Sequence, residues 1–146
     1  MLERFAMIKI TKESSVSIDD VLHLYQAVGW TNYTNQPQML EQALSHSLAT
    51  YLARDGEEIV GLVRLVGDGF SSVFVQDLIV LPSYQRQGIG SNLMKEALAD
   101  YKDAYQIQLA TEQTEKNLGF YRSLGFETLS TYDCTGMIWV DRKNLQ

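Results

Sequence analysis

Cysteine, histidine and long apolar runs are all scarce in this sequence. Cys134 is the single cysteine among 146 residues, which excludes a disulfide framework and a zinc site built from several cysteines. His23 and His46 are the only histidines, so the sequence predicts no bound metal. No apolar run approaches the roughly 18 residues that a membrane span requires. We therefore expect neither a metal cofactor nor a membrane partner.

Positive charge is also in the minority. The 12 lysine and arginine residues are outnumbered by 18 aspartate and glutamate residues, and the net charge of −6 argues against nucleic-acid binding, which needs a basic surface. The first six residues are too short and too polar for a signal peptide, so we expect a cytoplasmic protein. The length and the apolar fraction of 45% fit a single domain over residues 1–146.

The hydrophobic periodicity predicts an α+β fold. A strand, a helix and a second strand follow one another over residues 73–110, and such a crossover joins parallel strands. Hairpins on either side of it make the rest of the sheet antiparallel, so we expect a mixed, mostly antiparallel central sheet flanked by helices, with a parallel βαβ unit at its centre. The predicted helices cover residues 18–28, 37–44, 89–101 and 115–124. The predicted strands cover residues 8–10, 50–53, 59–66, 73–81, 105–110, 126–131 and 137–140.

The turn over residues 81–91, LPSYQRQGIGS, has the composition of an anion site. It joins an apolar strand to an amphipathic helix, whose first amides have no intrahelical partner and carry partial positive charge. Gly88 and Gly90 would let a phosphate reach these amides, and Arg86 adds a cation beside them. The expected ligand is a phosphate or pyrophosphate. The alternative is a glycine-rich connection that binds nothing.

Two common phosphate-binding motifs do not fit this turn. Leu93 stands where the Rossmann motif needs its third glycine, and no Gly-Lys-Ser/Thr follows as in a Walker loop. The observed Gln-x-x-Gly-x-Gly, after a strand that ends in Val-Leu-Pro-x-Tyr, resembles the pyrophosphate loop of the Gcn5-related N-acetyltransferase (GNAT) superfamily, written (Arg/Gln)-x-x-Gly-x-(Gly/Ala). Residues 117–126, NLGFYRSLGF, resemble the other motif of that family, an Asn followed by Phe-Tyr-x-x-x-Gly-Phe.

The resemblance implies a GNAT-like fold, acetyl-CoA as co-substrate, and a role for each motif residue. Asn117 would hydrogen-bond the pantetheine amides, and Phe120 would pack beside the arm. Tyr121 would donate a proton to the leaving thiolate, although both aromatic residues also suit an apolar core. The strand backbone would pair with the pantetheine arm at Leu78, Ile79 and Val80. The loop would hold the pyrophosphate with Gln85, Arg86, Gln87, Gly88, Ile89, Gly90 and Ser91.

For the general base we favour a water-relayed proton exit in which Asp77 takes part, although the sequence leaves other options open. Phe74 stands where some relatives of this family carry a glutamate. Asp77, three residues further on, would take part directly or through water if a strand bulge turned it inward, and otherwise it would cap a neighbouring turn. His46 is a third option.

The acceptor side is predicted from aromatic residues that stand in a polar loop. Trp30 and Tyr33 would form a wall for an amine, with cation–π attraction, while Phe74 and Gln76 face the same cleft. The alternative for Trp30 is that it closes the core beneath the loop.

These residues together predict an enzyme that moves an acetyl group from acetyl-CoA to a primary amine by direct transfer. The acceptor would be a small amine, an arylalkylamine or the lysine side chain of a peptide. No Ser-His-Asp constellation is visible that would favour an acyl-enzyme. The alternatives are a different acyl donor or acceptor, a CoA-binding sensor without turnover, and a nucleotide-binding regulator. A homodimer is left open.

Overall fold

The computed structural model describes residues 7–139 and 141. The chain divides into two compact units, Met1–Ala110 and Thr111–Gln146. The single domain expected over residues 1–146 stays a prediction. Within the described part of the chain, no helix has the length and apolarity needed to cross a membrane.

A five-stranded mixed sheet forms the first unit, with strands that are neighbours in sequence also neighbours in the sheet. Its strands are β1 (Ile8–Lys12), β2 (Ala49–Asp55), β3 (Glu58–Gly67), β4 (Ser72–Val80) and β5 (Gln106–Leu109). The first three pairings are antiparallel, and β4 pairs with β5 in parallel. The predicted mixed, mostly antiparallel sheet with a parallel βαβ unit is therefore confirmed.

Helices cover both faces of this sheet. They are α1 (Ile18–Ala27), α2 (Thr31–Thr34), α3 (Pro37–Ser45) and α4 (Ile89–Asp100). The first three share a buried core cluster with Leu62 of β3 and Ile79 of β4. Helix α4 packs on the other face, because Leu93 Cδ1 lies 3.1 Å from the place where Gly61 would carry a Cβ. Neighbouring strand residues such as Gly61 and Leu62 point to opposite faces.

A β-bulge in β4 decides which of its side chains meet helices α1–α3. Arg64 of β3 lies opposite Asp77, but the next residue, Leu65, lies opposite Val75. Gln76 is therefore the extra residue of the bulge. Asp77 is two positions from Ile79, so both side chains point to the face that α1–α3 cover.

The loop predicted between the first two long helices contains the short helix α2. Its first turn is closed by the Trp30 carbonyl, which accepts the N–H groups of Tyr33 at 3.0 Å and Thr34 at 3.1 Å. Pro37 then starts α3, as expected for a residue with no N–H to place in a first helical turn.

The second unit contains helix α5 (Glu115–Ser123), which confirms the helix predicted over residues 115–124. Thr114 caps it, because its hydroxyl oxygen accepts the Asn117 N–H at 3.1 Å. The chain leaves the helix at Gly125, whose φ of 97° suits glycine.

The strand predicted over residues 126–131 is wrong, and the described part of the strand predicted over 137–140 is also not a strand. A short 3₁₀ turn covers Leu129–Tyr132 instead, and residues 133–139 are irregular. The turn bonds to itself, since the Thr128 carbonyl accepts the Thr131 N–H at 3.1 Å and the Leu129 carbonyl accepts the Cys134 N–H at 3.0 Å. Such local bonds compete with strand pairing. Val140 lies outside the described residues.

Candidate functional site

The turn between β4 and α4 fits a bound phosphate. A 3₁₀ turn, Pro82–Tyr84, is followed by Arg86 at φ 66° and Gly88 at φ 80°, both in the left-handed region. Gly88 is the N-cap of α4 and offers no side chain to its first amides, so these N–H groups face outward without an intrahelical partner. A Cβ at Gly88 would meet no atom within 4 Å, so the space beside it is open.

Side chains on either side of this turn hold its shape. The Tyr84 hydroxyl donates to Asp55 Oδ2 at 2.6 Å, which ties the turn to the end of β2. The Gln85 amide donates to the Val80 carbonyl at 3.1 Å. Ile89 is buried and anchors the start of α4 in the core, whereas Arg86 is exposed. The non-glycine Arg86 is in a conformation that costs energy and is seen mainly at functional or tightly determined positions.

Within the described residues of the first unit, the last residues of β4 present a free backbone edge on the side of β5. The parallel ladder ends where Val75 pairs with Leu109, so β4 continues for five residues, 76–80, past its last partner in β5. Hydrogen-bonded pairs alternate along an antiparallel ladder. Leu81 N–H donates to the Val60 carbonyl at 2.9 Å, so Ile79, two residues earlier, also turns its backbone groups toward β3.

It follows that Leu78 and Val80 turn their backbone groups away from β3, to the side that β5 has left. All three residues were predicted to meet a pantetheine arm. The ladder occupies the groups of Ile79, and Gln85 already holds the Val80 carbonyl.

Asp77 lies at the centre of a buried hydrogen-bond network. Its Oδ2 accepts the Tyr25 hydroxyl and the Arg64 Nε–H, both at 2.8 Å, and its Oδ1 accepts the Tyr33 hydroxyl at 2.9 Å. Arg64 also donates to the Tyr33 hydroxyl oxygen at 3.2 Å and to the Ser47 hydroxyl at 3.2 Å. Only 2% of Asp77 and 3% of Arg64 is exposed. Two opposite charges buried this deeply require such partners.

The network keeps its tyrosines protonated and its arginine charged. Burial, and then the Asp77 carboxylate, raise the pKa of Tyr25 and the pKa of Tyr33. For Arg64, burial alone would lower the pKa, but the charge and hydrogen bond of Asp77 outweigh it, so the pKa is raised. Both phenols therefore remain donors to the carboxylate.

The predicted acceptor wall is partly assembled by this network. The Trp30 and Tyr33 rings lie 6.3 Å apart between centroids, and Tyr25 lies 5.0 Å from Tyr33. Gln76, the bulge residue, donates to the Tyr33 hydroxyl oxygen at 3.4 Å, the longest of these bonds. Trp30 is half-buried against the core cluster, as the core-closing alternative expected.

Two other predicted residues lie apart from this network. Phe74 precedes the bulge, where it pairs with Val66 of β3 and Gln108 of β5. His46 caps α3, since its Nδ1 lies 2.8 Å from the Gln42 carbonyl oxygen at an exposed helix end.

The motif residues of the second unit lie on α5. Asn117 donates its side-chain amide to the Glu112 carbonyl at 3.2 Å. Tyr121 is packed edge-on between Phe120, at 4.9 Å between ring centroids, and Phe126, at 5.9 Å. Burial raises the pKa of Tyr121. Its hydroxyl makes no hydrogen bond within the described residues of this unit.

Two members of the Asp77 network, Tyr25 and Arg64, were not among the predicted site residues. Tyr25 lies within the helix predicted over residues 18–28, at a spacing that favours a core position. A signal for Arg64 was present, because a single charge interrupts the apolar run 59–66, just as Asp77 interrupts 73–81. Lone opposite charges in two adjacent apolar strands indicate a buried pair.

Comparison with known proteins identifies the family. The model of the acetyltransferase (GNAT) domain matches residues 46–128. The solved structure of a GNAT-family acetyltransferase from Streptococcus pneumoniae is 76% identical, with a TM-score of 0.87, and the match covers 93% of this chain and 99% of that one.

Two further relatives differ more. Serotonin N-acetyltransferase 2, a chloroplastic protein of rice, is 33% identical over 95 residues, which are 62% of this chain and 48% of that protein. A GNAT-family acetyltransferase from Elizabethkingia anophelis, solved with acetyl-CoA bound, is 22% identical with a TM-score of 0.61, over 82% of this chain and 76% of that one.

The chain spans about half the length of two chloroplastic curated relatives that it matches. The family model nevertheless covers more than half of the chain, and it includes both the turn after β4 and helix α5. The chain therefore belongs to the GNAT family of N-acetyltransferases.

Proposed function

We propose that this protein transfers an acetyl group from acetyl-CoA to a primary amine. The observation that carries the proposal is the continuity of two features on one strand. The free backbone edge of β4 leads directly into the turn that ends at Gly88, where the first amides of α4 have no intrahelical partner. An extended arm joined to a pyrophosphate needs both features in this order. The relative solved with acetyl-CoA bound supports the choice of donor.

The donor would be held mainly by backbone groups. The amides of residues 86–91 would bind the pyrophosphate, with the Arg86 guanidinium beside them. The Leu78 carbonyl and the Val80 N–H would pair with the pantetheine amides, since Gln85 already holds the Val80 carbonyl. By the family resemblance, Asn117 and Phe120 would contact the same arm. Acetyl-CoA supplies the acetyl group as co-substrate, and the chain positions it.

The transfer itself would need no covalent enzyme intermediate. The neutral amine nitrogen forms a bond to the acetyl carbonyl carbon, the carbon–sulfur bond breaks, and sulfur leaves with its electron pair. The Leu78 N–H would stabilise the negative charge on the carbonyl oxygen. Tyr121 would give its hydroxyl proton to the sulfur, water would accept the proton that the amine loses, and Tyr121 would regain a proton from water once the products leave. The raised pKa of Tyr121 keeps this proton in place at neutral pH.

Arylalkylamines are the first acceptors to test. The rice relative is named for serotonin, an arylalkylamine, and Trp30 and Tyr33 bring two rings within 6.3 Å of each other. Such rings attract both an aryl group and an ammonium group. Small alkylamines and lysine side chains are the other two classes. The cytoplasmic location and the oligomeric state stay predictions.

A thiol-release assay tests this function. Purified protein is incubated with acetyl-CoA and serotonin, tyramine, putrescine or Nα-acetyl-lysine, and free CoA is followed with a thiol reagent, while mass spectrometry identifies the acetylated amine. We expect turnover on at least one amine. Tight CoA binding without turnover on any of them would favour a sensor, and thermal protection by ATP but not by CoA would favour a nucleotide-binding regulator.

A further inference from the structure

The buried carboxylate of Asp77 has almost no capacity left for a proton-transfer role. Three donors occupy it, namely Tyr25, Tyr33 and Arg64, all within 2.9 Å. The residue is 2% exposed, and within the described residues no buried polar side-chain atom lacks a hydrogen-bond partner. A general base must reach the proton that it removes, either directly or through one water. Asp77 is enclosed on the side of helices α1–α3.

The same contacts fix the position of Tyr33. Its hydroxyl donates to Asp77 at 2.9 Å and accepts from Arg64 at 3.2 Å and from Gln76 at 3.4 Å. Its ring also faces the Arg64 guanidinium, whose central carbon lies 6.0 Å from the ring centroid. Without the carboxylate, the two remaining partners would both be donors. The orientation of Tyr33 therefore depends on Asp77.

Gln76 stands at one end of the free edge of β4. It is the first residue after the last pairing with β5, and the turn that opens at Gly88 follows the other end. A strand rises about 3.3 Å per residue, so the edge from Gln76 to Val80 spans roughly 13 Å. If the pyrophosphate of the donor lies at the turn, then its acyl end lies toward Gln76, and the acceptor must approach there.

We propose that Asp77 is a positioning residue which, together with Arg64, holds the buried Tyr33 in place, so that Tyr33 in turn fixes Gln76, the exposed residue that contacts the acyl acceptor. This inference rests on the proposed function. On this inference, the affinity for the acceptor depends on the buried Arg64–Asp77 ion pair, which acts through Tyr33. The proton of the amine leaves by another route, and Asp77 remains a carboxylate throughout.

Two variants and a matched control test this assignment. Asp77→Asn replaces the acceptor of three hydrogen bonds with a group that also donates, and Tyr33→Phe removes only the phenol hydroxyl. Tyr51→Phe is the control, because Tyr51 is also buried and donates to a carboxylate, Asp100 Oδ2 at 2.6 Å, outside this network. If Asp77→Asn fails to fold, Tyr33→Phe still tests the assignment.

Affinity for the acceptor is read separately from turnover. Calorimetric titration of tyramine into the CoA complex gives the dissociation constant, and steady-state assays from pH 6 to 9 give kcat and both KM values. If the wild type does not accept tyramine, the amine that it acetylates best takes its place. We expect Asp77→Asn and Tyr33→Phe to weaken acceptor binding roughly tenfold, the loss of about one hydrogen bond.

Asp77→Asn and Tyr33→Phe should keep three wild-type properties: the KM for acetyl-CoA, the acid limb of the kcat profile, and kcat at saturating amine. The control Tyr51→Phe should bind the acceptor as wild type does. A hundredfold fall of kcat with loss of the acid limb in Asp77→Asn would make Asp77 the base and overturn the inference. Unaltered acceptor affinity in both variants would also overturn it. A wild type without turnover on any amine removes the proposed function as well, whereas active wild type with unaltered variants removes this inference alone.

Discussion

Arg64 and Asp77 face each other across strands β3 and β4, and the Arg64 Nε–H donates to Asp77 Oδ2 at 2.8 Å. This ion pair lies on the face of the sheet that helices α1–α3 cover, beside the apolar residues of the core cluster. It joins a tyrosine from α1 to a tyrosine from α2, and it does so at the bulge of β4. The pair thus organises the part of the first unit that lies beside the free edge.

Breaking the Arg64–Asp77 pair should destabilise the fold strongly. We expect Arg64→Met and Asp77→Leu each to lower the free energy of unfolding by about 3–5 kcal/mol, because each leaves a buried charge without its partner. The double variant should lose less than the sum of the two. Urea denaturation of the four proteins measures the coupling.

The partly exposed pair Arg54–Glu13 is the control for this cycle. Its atoms are also 2.8 Å apart, but the two side chains are 32% and 28% exposed. Glu13→Gln should therefore cost at most about 1 kcal/mol. Additive effects at Arg64 and Asp77 would contradict the buried pair.

Stability should fall at alkaline pH, partly through Tyr25. Burial and then Asp77 raise the pKa of Tyr25 in the folded protein. In the unfolded chain, a tyrosine has its usual pKa of about 10. Above that pH the unfolded chain binds fewer protons than the folded chain, so the stability that is fully present below about pH 10 decreases as pH rises. Tyr25→Phe should make the decline shallower by about 1.4 kcal/mol per pH unit.

Urea midpoints measured between pH 9 and 11.5 test this prediction. Tyr105→Phe serves as the control, since Tyr105 is 80% exposed, and its slope should match wild type. Equal slopes for Tyr25→Phe and wild type would show that Tyr25 is not protected from ionisation.

Arg86 should contribute to CoA affinity through its charge. Arg86→Asn removes the cation and keeps a residue that tolerates the left-handed backbone at φ 66°. We expect CoA binding to weaken roughly tenfold, within the range of hydrogen bonds to charged groups. Calorimetry at low and high salt measures it, and the difference between variant and wild type should shrink as salt rises.

Lys95→Gln is the matched control for Arg86. It removes one exposed cation from the same helix–turn segment, two turns into α4. Its CoA affinity should equal that of wild type. Wild-type affinity in Arg86→Asn would exclude the guanidinium from the donor site.

Tyr121→Phe should lower turnover while acetyl-CoA binding is kept. A lost general acid costs roughly a hundredfold or more in kcat, whereas the ring that packs on Phe120 and Phe126 is retained. An exposed tyrosine ionises at about pH 10. Because burial raises the pKa of Tyr121, its protonated, active form should persist in wild type above that pH. Turnover should then decrease as pH rises through the raised pKa.

Tyr132→Phe is the control. It also removes one phenol hydroxyl from the second unit, but Tyr132 is 70% exposed. Its kcat should equal that of wild type. A Tyr121→Phe enzyme with the wild-type rate would remove Tyr121 from the reaction.

Local features of the fold were predictable because local patterns specify them. The period of two in β2 and β3, the crossover from β4 to β5, and the start of α4 after Gly88 all followed from residues close together in the chain. The strand expected over residues 126–131 did not form, and residues 137–139, the described part of the strand expected over 137–140, are irregular. Residues 128–134 bond to one another instead of to a neighbouring strand. An apolar alternation indicates a strand but does not supply the partner that it requires.

The sequence by itself determined the family, because the residues of its two motifs are contiguous and their spacing carries the resemblance, and the donor side stays a prediction from the same residues. Only the tertiary structure decided the fate of Asp77. A one-residue bulge at Gln76 reverses which face each side chain takes, and no spacing along the chain reveals such a shift. The fold makes Asp77 the buried partner of Arg64, which comes from another strand, and of two tyrosines, which come from helices α1 and α2.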